Sequence, residues 1–321
     1  MAYSAGNLIL DDEYNTFVTG SADGTGNISV PNVNTIWATG SGAKGYGQTG
    51  NVSAVSAGTT ITATQWASLF GTFTGIANHT GTTVTSISNP TTGDTIEAIS
   101  TFEADLTTLF NSSANAAASG SDITSNGTIS TTNSWTNTAI LEQTFDFGTP
   151  DQFRYFFNAG GMIRLAYSRA GGSGHSKNAE WTDLLTKTGT IALTGLGSTK
   201  NIAGTDYTGT TKIGGSGTAD TLATSTGAYD LTTSNTVLFK QFADTSPYTT
   251  NYIQIQARVN NDTTPTTITI TTTLDDDRAD DFDDTVNGTL TGTHVIRPPS
   301  TTYLTASWGT PSMQSASWST S

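Results

Sequence analysis

Apolar residues recur at helical spacing in the first third of the chain and at alternate positions over most of the rest. A helix gathers positions three and four apart on one side, and a strand gathers every second position. In the run from Leu8 to Val18, an apolar triplet precedes Asp11, Asp12 and Glu13, and Tyr14, Phe17 and Val18 follow. Acidic residues in a first turn complement the helix dipole, so a short helix is predicted there. A Gly/Ser/Asn-rich connector leads to an aromatic-glycine loop over Ile36–Gln48. Thr62 and Gln65 then match a capping box, in which each side chain satisfies a free backbone amide at the helix start. Trp66, Leu69, Phe70 and Phe73 mark the amphipathic helix that follows. Asp94 is expected to cap another, whose Ile99, Phe102, Leu106 and Leu109 form one seam.

The alternating pattern begins after residue 138. Leu141, Gln143, Phe145 and Phe147 share one face of a strand. The richest apolar stretch is Phe153–Leu193, read as the nucleus of the main domain. It holds the cluster Phe153, Tyr155, Phe156 and Phe157, then a strand with Ile163, Leu165 and Tyr167 on one face. A Gly-rich loop follows, then a helix capped by Ser176 or Asn178 that buries Trp181, Leu184 and Leu185, and a returning strand over Thr190–Leu193. Arg164, Arg169 and His175 are left as surface or inter-subunit contacts. Residues 200–234 are Gly/Thr-rich, and short strands and a long loop fit them equally. Ile253, Ile255, Ala257 and Val259 alternate with polar residues. With Ile268, Ile270 and Leu274 across an Asn/Asp/Pro turn they predict a hairpin. A Thr-rich strand over Val286–Ile296 ends at Pro298 and Pro299.

These patterns divide the chain into a helical anchoring part (residues 1–120), a Ser/Ala/Asn/Thr-rich linker (121–138), a β-sandwich-like domain (139–299) and a Ser/Thr/Trp-rich tail (300–321). The fold class is α+β: a helical N-terminal part followed by a mostly antiparallel β-sandwich-like domain.

Composition supports that division and narrows the function. Thr is about a fifth of the chain, which suits strands because Thr is β-branched. Charged residues are 12 % and the formal net charge is −14. An acidic surface disfavours nucleic acid and anionic membranes as partners. The absence of cysteine excludes disulfides, thiolate metal sites and thiol nucleophiles. No apolar run approaches the about 18 residues of a membrane span, and the N-terminus lacks a secretory pattern. The composition suits an extracellular particle and the start suits cytosolic synthesis; a virion protein reconciles the two.

The candidate chemistry is sparse. His79, His175 and His294 lie far apart, and Gly171–Lys177 lacks the ending of a phosphate loop. Glu142, Asp146, Asp151, Glu180 and Asp183 show no spacing that pairs them as glycosidase carboxylates, and Glu180 and Asp183 fit a helix surface. No catalytic residue and no cofactor is assigned, calcium apart. The acidic run Asp275–Asp284 offers Asp275, Asp277, Asp281 and Asp284 as calcium ligands, against the plainer reading of a solvated loop. Trp37, Tyr46, Trp66, Phe70, Trp308 and Trp318 are the candidate interface aromatics, with burial inside one subunit as the alternative.

Several motifs carry a resemblance. Ala5–Phe17, Gly45–Gln48, Thr62–Trp66 and Ile76–His79 in the first half, with Phe156–Arg164, Lys177–Leu185 and Val286–Leu290 in the second, resemble virion structural proteins of tailed phages, marine cyanophages especially. Members of that group are described as virion structural, tail-fibre-like or neck-appendage proteins. The resemblance implies a non-enzymatic part of the outside of a virion, assembled in the host cytoplasm. It would act as a homo-oligomer and attach to other virion proteins. A receptor- or glycan-binding fibre module and a capsid decoration protein are the alternatives.

Overall fold

The computed structural model describes residues 11–86, 89, 99–117, 127–277 and 285–321. Four helices come first: α1 (Asp11–Thr19), α2 (Val33–Trp37), α3 (Ala63–Thr80) and α4 (Ile99–Asn111). The capping box on α3 forms as expected, with Thr62 accepting from the Gln65 amide and Gln65 returning to the Thr62 amide. Tyr14, Phe17, Trp66, Phe70, Phe73 and Phe102 make one ring-packed interior. Asp94, and Leu8 to Leu10 ahead of α1, lie outside the described residues.

The β part runs β1 (Thr128–Thr131), β2 (Thr138–Asp146), α5 (Pro150–Asn158), β3 (Met162–Ala170), α6 (Ser176–Thr188) and β4 (Thr190–Leu193). It continues with β5 (Thr199–Ile202), β6 (Thr205–Thr208), β7 (Thr210–Ile213), β8 (Thr221–Leu222) and β9 (Thr236–Phe242). Then come β10 (Tyr252–Val259), β11 (Thr267–Asp275), β12 (Thr289–Arg297) and β13 (Ser312–Thr320). The strands form a five-stranded sheet, β1-β12-β3-β4-β7, a six-stranded sheet, β13-β2-β11-β10-β9-β8, and the small hairpin β5-β6. All ladders are antiparallel.

The strand alternation decides the sandwich. Leu141 and Phe145 of β2, Ile253 and Ile255 of β10, and Ile268, Ile270 and Leu274 of β11 are buried on one sheet. Ile163, Leu165 and Tyr167 of β3 with Leu290 and Ile296 of β12 oppose them. Two polar pairs sit within this interior. Gln143 meets His294 at 3.2 Å, and the Tyr167 hydroxyl meets Thr272 at 2.5 Å.

The described part of the segment expected as linker (127–138) and the segment expected as tail both contribute strands to the sandwich. β1 pairs with β12, and Trp135 is buried against Trp181 with ring centroids 4.8 Å apart. β13 pairs with β2 along its length. The undecided region 200–234 supplies β5 to β8. Its first turn is tight enough to need a left-handed residue at Ala203 and again at Gly204.

The aromatic cluster Phe153–Phe157 is helix α5, started by a second capping box between Thr149 and Gln152 with Pro150 in the first turn. Its Phe153, Phe156 and Phe157 rings pack around Phe147 at 5.0 to 5.4 Å. One continuous core joins the helices α1–α4, α5 and both sheets. Among the described residues no helix is long and apolar enough to cross a membrane.

Candidate functional site

Two regions concentrate polar chemistry, and both involve helices that flank the sandwich. The first is a clamp on the aromatic-glycine loop. The Asn158 side-chain amide donates to the carbonyls of Gly42, Lys44 and Gly45 at 3.0 to 3.1 Å. Arg154 donates to the carbonyls of Gly40 and Lys44, and Tyr229 donates to Asn158 Oδ1 at 2.8 Å. Gly47 adopts φ +70° with the Tyr155 ring where a side chain would be, so only glycine fits. The Lys44 ammonium bonds Ser113 at 2.6 Å and lies 3.8 Å over the Phe110 ring. Partial burial pulls it down to about 8. Gln48 bonds the backbone of Thr305 and the hydroxyl of Ser307, which fastens the C-terminal segment to the same loop.

The second region surrounds α6. His175, not Ser176 or Asn178, caps the helix by accepting from the Asn178 amide. Asn178 turns back to bond Ser173 and Asn287. Arg169, expected at the surface, is 8 % exposed. It lies on the inward parity of β3 and donates to Asn178 O, Thr182 Oγ1 and Gly171 O. Arg164 donates to the Tyr207 hydroxyl at 3.0 Å. Lys177 and Asp276 form a buried ion pair at 2.8 Å, their side chains 4 % and 0 % exposed. Breaking such a pair from one side costs about 3–5 kcal/mol, because the other charge stays buried.

Glu180 is also buried, against the expectation of a helix surface. α6 turns that face toward the loop after β9, and Glu180, Asp183 and Asp244 converge there. One carboxylate oxygen of each lies within 4.8 Å of the others. Lys187 stands beside them, 2.5 Å from Asp183 and 2.7 Å from Asp244. Those two bonds, Asp183 first, hold its ammonium protonated well above the usual lysine range. Burial raises the Glu180 carboxyl above its usual range, the Thr245 hydroxyl opposes this, and Asp183 and Asp244 add to the rise.

Asp275 accepts from the Tyr252 hydroxyl at 2.8 Å, Asp276 pairs with Lys177, and Asp277 is exposed. Asp281 and Asp284 lie outside the described residues.

Four of the six candidate interface aromatics face the interior of this chain. Tyr46 is 0 %, Trp66 1 %, Phe70 4 % and Trp308 2 % exposed. Burial inside one copy absorbs the contact area they would give a partner. Trp37 and Trp318 are partly buried against the same core. Trp318 Nε1 donates to Ile129 O at 2.9 Å, which pins β13 to β1 at a corner of the sandwich. Sequence reasoning missed the Glu180–Asp183–Asp244 group because Asp244 is remote in sequence. The spacing of Glu180, Asp183 and Lys187 on one helix was its only local sign.

The fold and these sites define an α+β protein with an antiparallel β-sandwich. Comparison with models of known families, with curated proteins and with solved structures returns no match to any of them.

Proposed function

We propose that this protein is a non-enzymatic structural component of the outside of a tailed-phage virion, in a tail, neck or fibre position. It works by self-assembly of copies and by attachment to other virion proteins. The motif resemblance supports the setting, and one structural observation supports the mode: the β13 edge. Exposed strand edges are usually blunted by charge, proline or shortness. β1 and β7 have four residues each and β8 has two. β7 carries Lys212, and β8 covers β9 at Phe239 and Lys240.

β13 has nine residues, SMQSASWST, none charged, and among the described residues it pairs with β2 alone. The Ser321 amide donates to Thr138 on the β2 side, so the alternate amides of Thr320, Trp318 and Ala316 point outward. Ser315, Ser317 and Ser319 are exposed on the same strand. On a chain of net charge −14, an uncharged edge is where two copies meet with least repulsion. β-Strand addition there extends the six-stranded sheet from one copy to the next.

Light scattering on the eluting protein tests this. The native chain is expected to run as a multimer. The Ser317→Lys/Ser319→Lys variant is expected to run as a folded monomer. A native monomer at high concentration, or a variant that still assembles, would sink the edge as the interface. Locating the chain in a particle reconstruction tests the virion setting.

A second reading, a receptor- or glycan-binding module, rests on the end of β9 and β10. There Phe242 and Tyr252 pack edge to face at 5.5 Å, with the Lys240 ammonium 3.7 Å from the Tyr252 ring centroid. Binding on a glycan array that is lost in Phe242→Ala would favour it.

A further inference from the structure

We propose that Glu180 and Asp183 of α6, with Asp244 from the loop after β9, bind a hard divalent cation, calcium by preference. The geometry comes first. The three carboxylates present oxygens within 4.8 Å of one another, brought together by a helix and a loop some sixty residues apart in the chain. The charges do not balance. Among the described residues three carboxylates share one ammonium, and Lys187 bonds Asp183 and Asp244. Glu180 is 6 % exposed, and among the described residues its Oε1 is buried with no hydrogen-bond partner, the Thr245 hydroxyl being the one donor to the carboxyl. A buried carboxylate oxygen without a donor is costly, and a cation placed among the three groups removes that cost.

The donor chemistry selects the ion. All ligands are carboxylate oxygens, which hard cations prefer, and no cysteine or histidine is in the group. Calcium accepts irregular shells of about 6–8 oxygens and can take carboxylates in bidentate fashion, whereas magnesium demands a near-ideal octahedron. Asp244 and Thr245 are exposed, so an ion can enter from solvent and water can complete its shell. Lys187 then acts as the competitor. Its side chain is 24 % exposed and can swing outward as the ion takes its place between Asp183 and Asp244.

Calorimetric titration of the full chain with calcium, magnesium and manganese tests the proposal, beside melting curves in calcium and in chelator. Calcium is expected to bind and to raise the melting temperature. Glu180→Gln and Asp244→Asn are expected to abolish the binding heat while remaining folded. Lys187→Met is expected to tighten calcium at least tenfold, because it removes the competing charge and keeps the side-chain stem. Two results would overturn the proposal. One is no calcium heat in either the native chain or Lys187→Met, which would make the cluster a lysine-centred ion network with Glu180 protonated. The other is calcium heat that persists in both Glu180→Gln and Asp244→Asn, which would place binding elsewhere.

Discussion

His79 shows how much one side chain can carry. It is 1 % exposed, its Nε2 lies 3.1 Å from the Ala159 carbonyl, and its ring meets Tyr46 edge to face at 5.2 Å. The carbonyl accepts, so Nε2 holds the proton and Nδ1 is bare, and among the described residues Nδ1 has no partner. The ring is therefore neutral. Burial pulls its pKa down to about 4, with the Ala159 bond acting the other way. In the unfolded chain the ring takes a proton below about 6.5; in the folded chain it does not until about 4. Stability is thus complete above pH 6.5 and falls as the pH drops toward 4, by roughly 3 kcal/mol from this group. Denaturant melts from pH 7 to pH 4 should show that loss, and His79→Gln should flatten it. An unchanged slope in the variant would place the acid sensitivity elsewhere. The sequence marked His79 only as an isolated histidine, because its partners Tyr46 and Ala159 come from remote parts of the chain.

At the scale of elements, α5 is the clearest gain over sequence reading. Its Phe residues looked like an undivided aromatic cluster, since Phe153, Tyr155, Phe156 and Phe157 fit neither period cleanly. Yet the local signals were present: Thr149 with Gln152 three residues on, and Pro150 between them. These signals fix the start of a helix whatever its apolar pattern. Thr149→Ala is expected to cost about 1 kcal/mol. Asn158→Ala is expected to cost more, roughly 2–4 kcal/mol, because three backbone carbonyls and the Tyr229 hydroxyl lose a partner at once. Chemical denaturation of the two variants would rank them. Equal costs would mean the loop clamp contributes little. By contrast, α3, β2, β10 and β11 were legible from pattern alone. Each has a long run of one period, and Thr62 with Gln65 announced the helix start.

The whole molecule departs most from a string of separable parts. The helical segment, the β part and the C-terminal segment share one core, tied by Asn158 and Arg154 to residues 40–45 and by Gln48 to Thr305. Variants keeping a single tryptophan, Trp66 in the helices or Trp181 in the sandwich, should therefore report the same melting temperature. Transitions well apart would show that the helices fold on their own. The uncharged β13 edge and the carboxylate group also belong to this scale, since each exists only where distant segments meet. The sequence by itself determined the class, α+β with an antiparallel sandwich, along with the longer helices and strands. Period, caps and turns act over a few residues and leave their mark locally. Only the tertiary structure decided that Tyr46, Trp66, Phe70 and Trp308 turn inward, that β13 completes a sheet, and that Glu180 meets Asp244. Burial and long-range pairing depend on which surfaces face each other after the chain closes, and that information is spread over the whole sequence.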